Sequence, residues 1–133
     1  MMRAGWPGID DAQRRAVLHD GVVQIRHALA LRPVSPYSWA VLLQLKNSLG
    51  EYDAEFRRSL ERTTTLGPYE PALQVAVAAV GFDAWKVLPD AERKIVGEAI
   101  RRGLQHQAGA IFATARAHLN DCPPDSRAAG CRQ

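Results

Sequence analysis

The side chains of this 133-residue chain that could do chemistry are four histidines, two cysteines and a scatter of carboxylates. Their spacing argues against each in turn. His19, His27, His106 and His118 never fall three or four residues from one another, and the HExxH pattern that places two imidazoles on one helix face is absent, so no metal site is expected. Cys122 and Cys131 bracket CPPDSRAAGC, a spacing unlike a zinc knuckle or a Cys-x-x-Cys redox pair. In an exported protein the two could close a loop; in a reducing cytosol they would be free thiols. Asp53, Glu55, Asp90 and Glu92 stand where helices should start, and free amides and the helix dipole favour carboxylates there without any acid–base role. A Gly-rich phosphate loop and a Gly-x-Ser-x-Gly elbow are both missing. The expectation is a chain with no catalytic residues and no cofactor, not an enzyme.

What remains is a set of polar side chains that could hold a partner, and the elements that would position them are helices. Gln44, Asn47 and Gln74 can each donate and accept, so they could grip an extended backbone, or they are simply exposed polar residues. Ser35 followed by Pro36 reads as a helix start, because the hydroxyl accepts from a free first-turn amide and proline lacks the N–H that would go unsatisfied. Trp39, Leu42, Leu43 and Leu49 then form one apolar stripe, with Gln44, Lys46 and Asn47 off it. Gly50 ends this helix, and a second opens near Tyr52 and Asp53, carries Tyr52, Phe56 and Leu60 one turn apart, and stops at Gly67-Pro68. So short a connection demands an antiparallel hairpin, with Trp39 and Phe56 expected to meet in its seam.

The same logic extends outward. Asp10 with Gln13 is a capping pair for a helix to about Leu31, whose Leu18, Val22, Ile25 and Leu29 face inward. Glu70 and Pro71 open a helix with Leu73, Val77 and Val80 inward and Gln74 outward, closed by Gly81. A short aromatic segment, Phe82 to Leu88, should tuck Trp85 under the next turn. Asp90 then caps a helix through about Leu104 with Ile95, Val96, Ala99 and Ile100 as its apolar side; Gly103 or the region of Gly109 breaks it, and Ile111, Phe112, Ala115 and Leu119 mark a last amphipathic helix. No strand periodicity competes. The fold class is therefore all-α, with six to seven helices in stacked antiparallel hairpins. Residues 1–9 should be irregular, 10–119 a single helical domain, and 120–133 a mobile tail.

Between Trp39 and Pro68 the chain resembles a tetratricopeptide repeat. That family's unit of about 34 residues has a Trp and a Leu three residues later in its first helix, Gly-x-Tyr at the turn and Pro closing the second. Trp39, Leu42, Gly50, Tyr52 and Pro68 follow the same order, while Leu43 stands where the family usually has Gly and Glu55 near its small-residue position. The resemblance implies a short α-solenoid whose first helices line a partner-binding groove. Carried across through Trp39, the groove positions are Tyr37, Ala40, Gln44, Asn47 and Ser48, joined by Gln74 and Ala78 of the next helix. Ala40 takes the place of a residue with which some members clamp a terminal carboxylate, so that function is disfavoured. The phrases SPYSWA, LGEYDAEFRRSL and LGPYEP also look like those of small helical proteins that accompany bacterial exopolysaccharide or cell-envelope assembly, usually behind a membrane anchor. This second resemblance implies an accessory scaffold with no chemistry of its own.

Composition bounds the function. With 47% hydrophobic and 23% charged residues the chain reads as an ordinary globular domain, long enough to bury a core without disulfides or metal. No run of eighteen apolar residues exists to span a bilayer, and MMRAGWPGIDD lacks the apolar stretch of a signal peptide. The expected location is cytoplasmic, or the periplasmic side of the envelope if an anchor lies outside this chain. The net charge of +3 raises nucleic acid as an alternative partner. Arg14-Arg15, Arg57-Arg58, Arg62, Arg93-Lys94 and Arg101-Arg102 are interspersed with carboxylates and not with aromatics, which favours a solvated face over a phosphate-binding stripe. The expected partner is a protein or peptide.

Overall fold

The computed structural model describes residues 10–120, and among them every regular element is helical. The order is α1 (Asp11–Leu31), α2 (Pro36–Leu49), α3 (Ala54–Leu66), α4 (Pro71–Ala84), a 3-10 turn (Trp85–Val87) and α5 (Asp90–Asn120). The expectations for residues 1–9 and for the tail from Asp121, Cys122 and Cys131 included, lie outside the described residues. None of the described helices is long and apolar enough to cross a membrane.

Local chemistry sets the helix ends. Asp10 and Gln13 form a reciprocal capping box, at 2.8 and 3.0 Å. Ser35 Oγ accepts from the Ser38 amide ahead of Pro36. Gly50 adopts φ 72°, ψ 24°, and the following Glu51 N–H returns to the Lys46 carbonyl at 3.0 Å, which satisfies the end of α2. Asp53 caps α3 through the Phe56 amide at 3.0 Å. Four residues, Gly50 to Asp53, thus reverse the chain and lay α3 antiparallel to α2.

Two clusters make the core. Leu43, Phe56, Leu60, Val77, Val80, Ala84, Leu88, Val96 and Ala99 fill the space shared by α2, α3, α4 and α5. Leu18, Val22, Leu29, Trp39, Leu42 and Leu49 join α1 to α2. Trp39 and Phe56 are both buried, but they serve different clusters and do not share one seam. In the antiparallel pairing Trp39 lies level with the far end of α3, where Arg62 covers its ring at 5.9 Å, and its indole N–H is held by the Pro33 carbonyl at 2.7 Å. α2 pairs with α3 and α4 with α5; α2 also touches α4, and α3 touches α5.

Among the described residues there are five α-helices rather than six to seven, because Gly81, expected to close its helix, sits inside α4, and α5 continues as one element across its own interruption. Gly81 leaves α4 running on through Ala84; a Cβ there would stand 2.2 Å from Val96 Cγ1, so this glycine permits close approach of α5. Gly103 and Gly109 flank a break in α5 at the non-helical Gln107 (φ −153°, ψ 53°), within the stretch whose glycines predict an interruption. Gln107 Nε2 donates to the Pro71 carbonyl at 3.0 Å and to Gln74 Oε1 at 2.6 Å, so side-chain bonds to α4 fix the bend. Asp90 is the first residue of α5, not its cap. Trp85 is 42% exposed instead of tucked away, with the Arg93 guanidinium over its ring at 5.3 Å.

Candidate interaction surface

α2 carries the strip to which sequence and structure both direct attention. Tyr37, Val41, Gln44 and Ser48 recur at i, i+4, i+7 and i+11, and all four are exposed, Tyr37 to 51% and Val41 to 42%. The opposite faces of the helix are held by Trp39, Leu42, Leu43 and Leu49 in the two clusters, so the strip sits on a fixed backbone. Tyr37 donates its hydroxyl to Glu70 at the start of α4, and that bond to a carboxylate raises the phenol above its ordinary pKa.

The other expected groove residues lie elsewhere. Asn47 is half-buried and committed: its Nδ2 donates to Asp83 of α4 at 2.9 Å and its Oδ1 accepts from the Tyr52 hydroxyl at 2.7 Å. Gln74, expected outward, is 3% exposed. Its Nε2 satisfies the Pro68 carbonyl at 3.1 Å and its Oε1 receives Gln107, so it is an interior strut between the α3–α4 connection and the bend of α5. Ala40 and Ala78 are buried at 4% and 0% and form the floor between helices instead of a wall. Of the predicted set, Tyr37, Gln44 and Ser48 share the open face.

A second constellation was not anticipated. Lys46, off the apolar stripe, is only 2% exposed. Its Nζ lies 2.9 Å from Glu51 Oε1, 2.8 Å from Asp53 Oδ2 and 3.1 Å from Glu55 Oε1. Arg26 of α1 forks onto Glu55 at 2.7 and 2.6 Å, and His19 Nε2 lies 3.6 Å from Glu51 Oε2. Together with Arg15, which donates to the Leu49 carbonyl at 3.3 Å, these groups fasten one side of α1 to the α2–α3 turn. The legible signal is the acidic Glu51, Asp53 and Glu55 just across a tight turn from a lysine; helical periodicity does not find it, because a buried cation has no place in an apolar stripe.

The charges of this cluster are held, not poised. Burial opposes the Lys46 ammonium, but its hydrogen bonds to Asp53, Glu51 and Glu55 outweigh that and push its pKa above the ordinary lysine value. The Arg26 fork, against the cost of burial and with help from Lys46, keeps Glu55 below the usual carboxylate range. Burial likewise opposes the Asp53 charge, and the bonds from Lys46 and the Phe56 amide more than offset it, so its pKa is lowered. A nucleophilic lysine needs its pKa depressed, and a general base needs one near neutrality; this arrangement drives both away from those values. It works as a clamp. Among the described residues no group of three or more His, Cys, Asp or Glu is placed to hold a metal ion.

Several arginines also turn inward to carbonyls at helix ends. Arg102 donates to Pro68 at 3.2 Å, and Arg93 to Trp85 at 2.9 Å, while Arg57 pairs with Glu61 at 3.2 Å. Cations engaged in this way present a weaker field to a phosphate backbone than the sequence count implies. Comparison with family models, curated proteins and solved structures finds no match to this chain.

Proposed function

We propose that this chain is a non-catalytic scaffold of tetratricopeptide-like build that captures a protein or peptide along the outer face of α2, beside α4. The observation that carries the reading is the row Tyr37, Val41, Gln44 and Ser48: two apolar side chains with two polar ones, exposed in register on a helix whose other faces are anchored. A rigid helix face with apolar anchors and adaptable hydrogen-bonding groups is what partner recognition uses, because little ordering is needed on binding. The pairing of α2 with α3 and α4 with α5, and the side contacts between the two pairs, support the stacked-hairpin reading. A place beside bacterial exopolysaccharide or envelope assembly rests on the three sequence phrases alone, and its test is whether the captured partner belongs to such machinery.

The experiment is affinity capture from the native host with mass spectrometry, run for the natural chain, for Val41→Asp with Gln44→Ala, and for Arg58→Ala on exposed α3 as a control. Specific capture should be lost in the α2 variant and kept in the control. Equal capture by all three would overturn the α2 face as the docking surface. A salt-steep retention of RNA or DNA in place of a protein would favour the nucleic-acid alternative.

A further inference from the structure

Among the described residues, α1 and the last part of α5 each leave one face open, and these two faces are complementary. α2, α3 and α4 have helical neighbours on more than one side, whereas α1 packs on α2 through Leu18, Val22, Ile25 and Leu29 and exposes its opposite face. At 100° per residue that opposite face contains Ala16, Asp20, Val23, His27 and Ala30, all exposed, with Val23 at 46%. At the other end, α5 beyond the Gln107 bend buries Ile111 and leaves Phe112 and Leu119 exposed at 58% and 53%, on a stripe with Ala108 and Ala115. One end presents large apolar side chains, and the other a shallow surface of small ones.

We propose that this chain associates head to tail with a second copy of itself, the segment of α5 after Gln107 in one copy lying antiparallel on the free face of α1 in the next. Phe112 and Leu119 stand seven residues apart, as do Val23 and Ala16, which gives both rows the same spacing of about 10 Å. With Phe112 set opposite Val23, Leu119 falls opposite Ala16, and Arg116 falls within one residue of Asp20. Both charged residues are exposed. Asp20 accepts an intrahelical bond from Gln24 at 3.3 Å. The cross-copy helix pair repeats the antiparallel pairing found within the chain between α2 and α3. Different faces meet, so the contact is heterologous and leaves one free end of each kind, generating a ring or an open string instead of a closed symmetric dimer. This inference does not depend on the α2 face, which stays open in the assembly.

The test is sedimentation equilibrium of the full chain over a range of concentrations. The natural chain should rise above its monomer mass of 14.6 kDa as concentration increases. Phe112→Asp and Val23→Asp should each stay monomeric, while their equimolar mixture, which joins the intact α1 face of the first to the intact α5 face of the second, should give a species of twice the 14.6 kDa monomer. Both side chains are about half exposed, so folding should survive, and circular dichroism checks that. If either variant unfolds, Arg116→Asp and Asp20→Arg replace them: each alone should associate more weakly than the natural chain, and their mixture should recover association through the swapped pair. A natural chain that stays monomeric, because these faces serve another partner, overturns the proposal. So does a Val23→Asp variant that still self-associates, as it would through a symmetric α5 contact, or a mixture that remains monomeric.

Discussion

Asp53 and Lys46 are joined twice over: one carboxylate oxygen of Asp53 caps α3 through the Phe56 amide at 3.0 Å, while the other lies 2.8 Å from the buried Lys46 ammonium near the end of α2. The residue that starts one helix therefore also fixes the angle at which the preceding helix meets it. Glu55, two residues on, adds a second link, receiving Lys46 from α2 and Arg26 from α1.

Removing the cation from this arrangement should be expensive. Lys46→Ala leaves three carboxylates facing one another and a hole where the stem lay; breaking a buried charge pair costs about 3–5 kcal/mol, and the partial exposure of the carboxylates puts the expected loss near the bottom of that range. Lys46→Met keeps the packing and should lose less. Urea denaturation of the two variants checks the order, and a Lys46→Ala protein as stable as the natural one would contradict the clamp.

The pH dependence follows from the same groups. Asp53 and Glu55 have folded pKa values below their unfolded ones, so their contribution is complete above about pH 5 and is lost as pH falls through the ordinary carboxylate range near 4 and below. Lys46 is raised, so its contribution is complete below its ordinary pKa and fades only as pH climbs beyond that, well into the alkaline range. Denaturation midpoints against pH should show a plateau between these limits, and Glu55→Gln should flatten the acid limb.

Two glycines of the long-helix pair should respond in opposite directions. Gly81→Ala forces a methyl against Val96 and should cost about 1–3 kcal/mol through overpacking. Gly97 is exposed within α5 with no neighbour near its would-be Cβ, so Gly97→Ala should stabilise by about 0.5–1 kcal/mol. Thermal melts of the two variants give the signs directly.

The bend of α5 should depend on a single amide. Gln107→Ala removes the donor from Gln74 Oε1 and from the Pro71 carbonyl, leaving the buried Gln74 short of a partner at a cost of about 1–3 kcal/mol. Amide hydrogen exchange should rise in residues 108–119 more than in α2 or α3; a uniform rise would mean that the bend is not held locally.

Helix starts were legible because their chemistry is local: Asp10 with Gln13, Ser35 with Pro36, and Asp53 cap where spacing and residue type placed them. Glycines misled because a helix interrupter and a packing glycine look alike in one sequence; Gly50 has the left-handed backbone that ends a helix, whereas Gly81 answers to Val96 on the facing helix α5, a neighbour brought close only by the fold. Gln44 and Gln74 look equivalent on helical wheels, yet Gln74 is drawn inside by the Pro68 carbonyl and by Gln107, partners that only the tertiary arrangement supplies. Lys46 was hidden for the same reason.

The reading of the α2 face is tested most directly by placing a photo-crosslinking group at Gln44 and, separately, at Arg58 on α3, and irradiating each in the native host. A defined protein adduct is expected from position 44, and none of that adduct from position 58. An adduct formed equally from both positions, or from 58 alone, would contradict it.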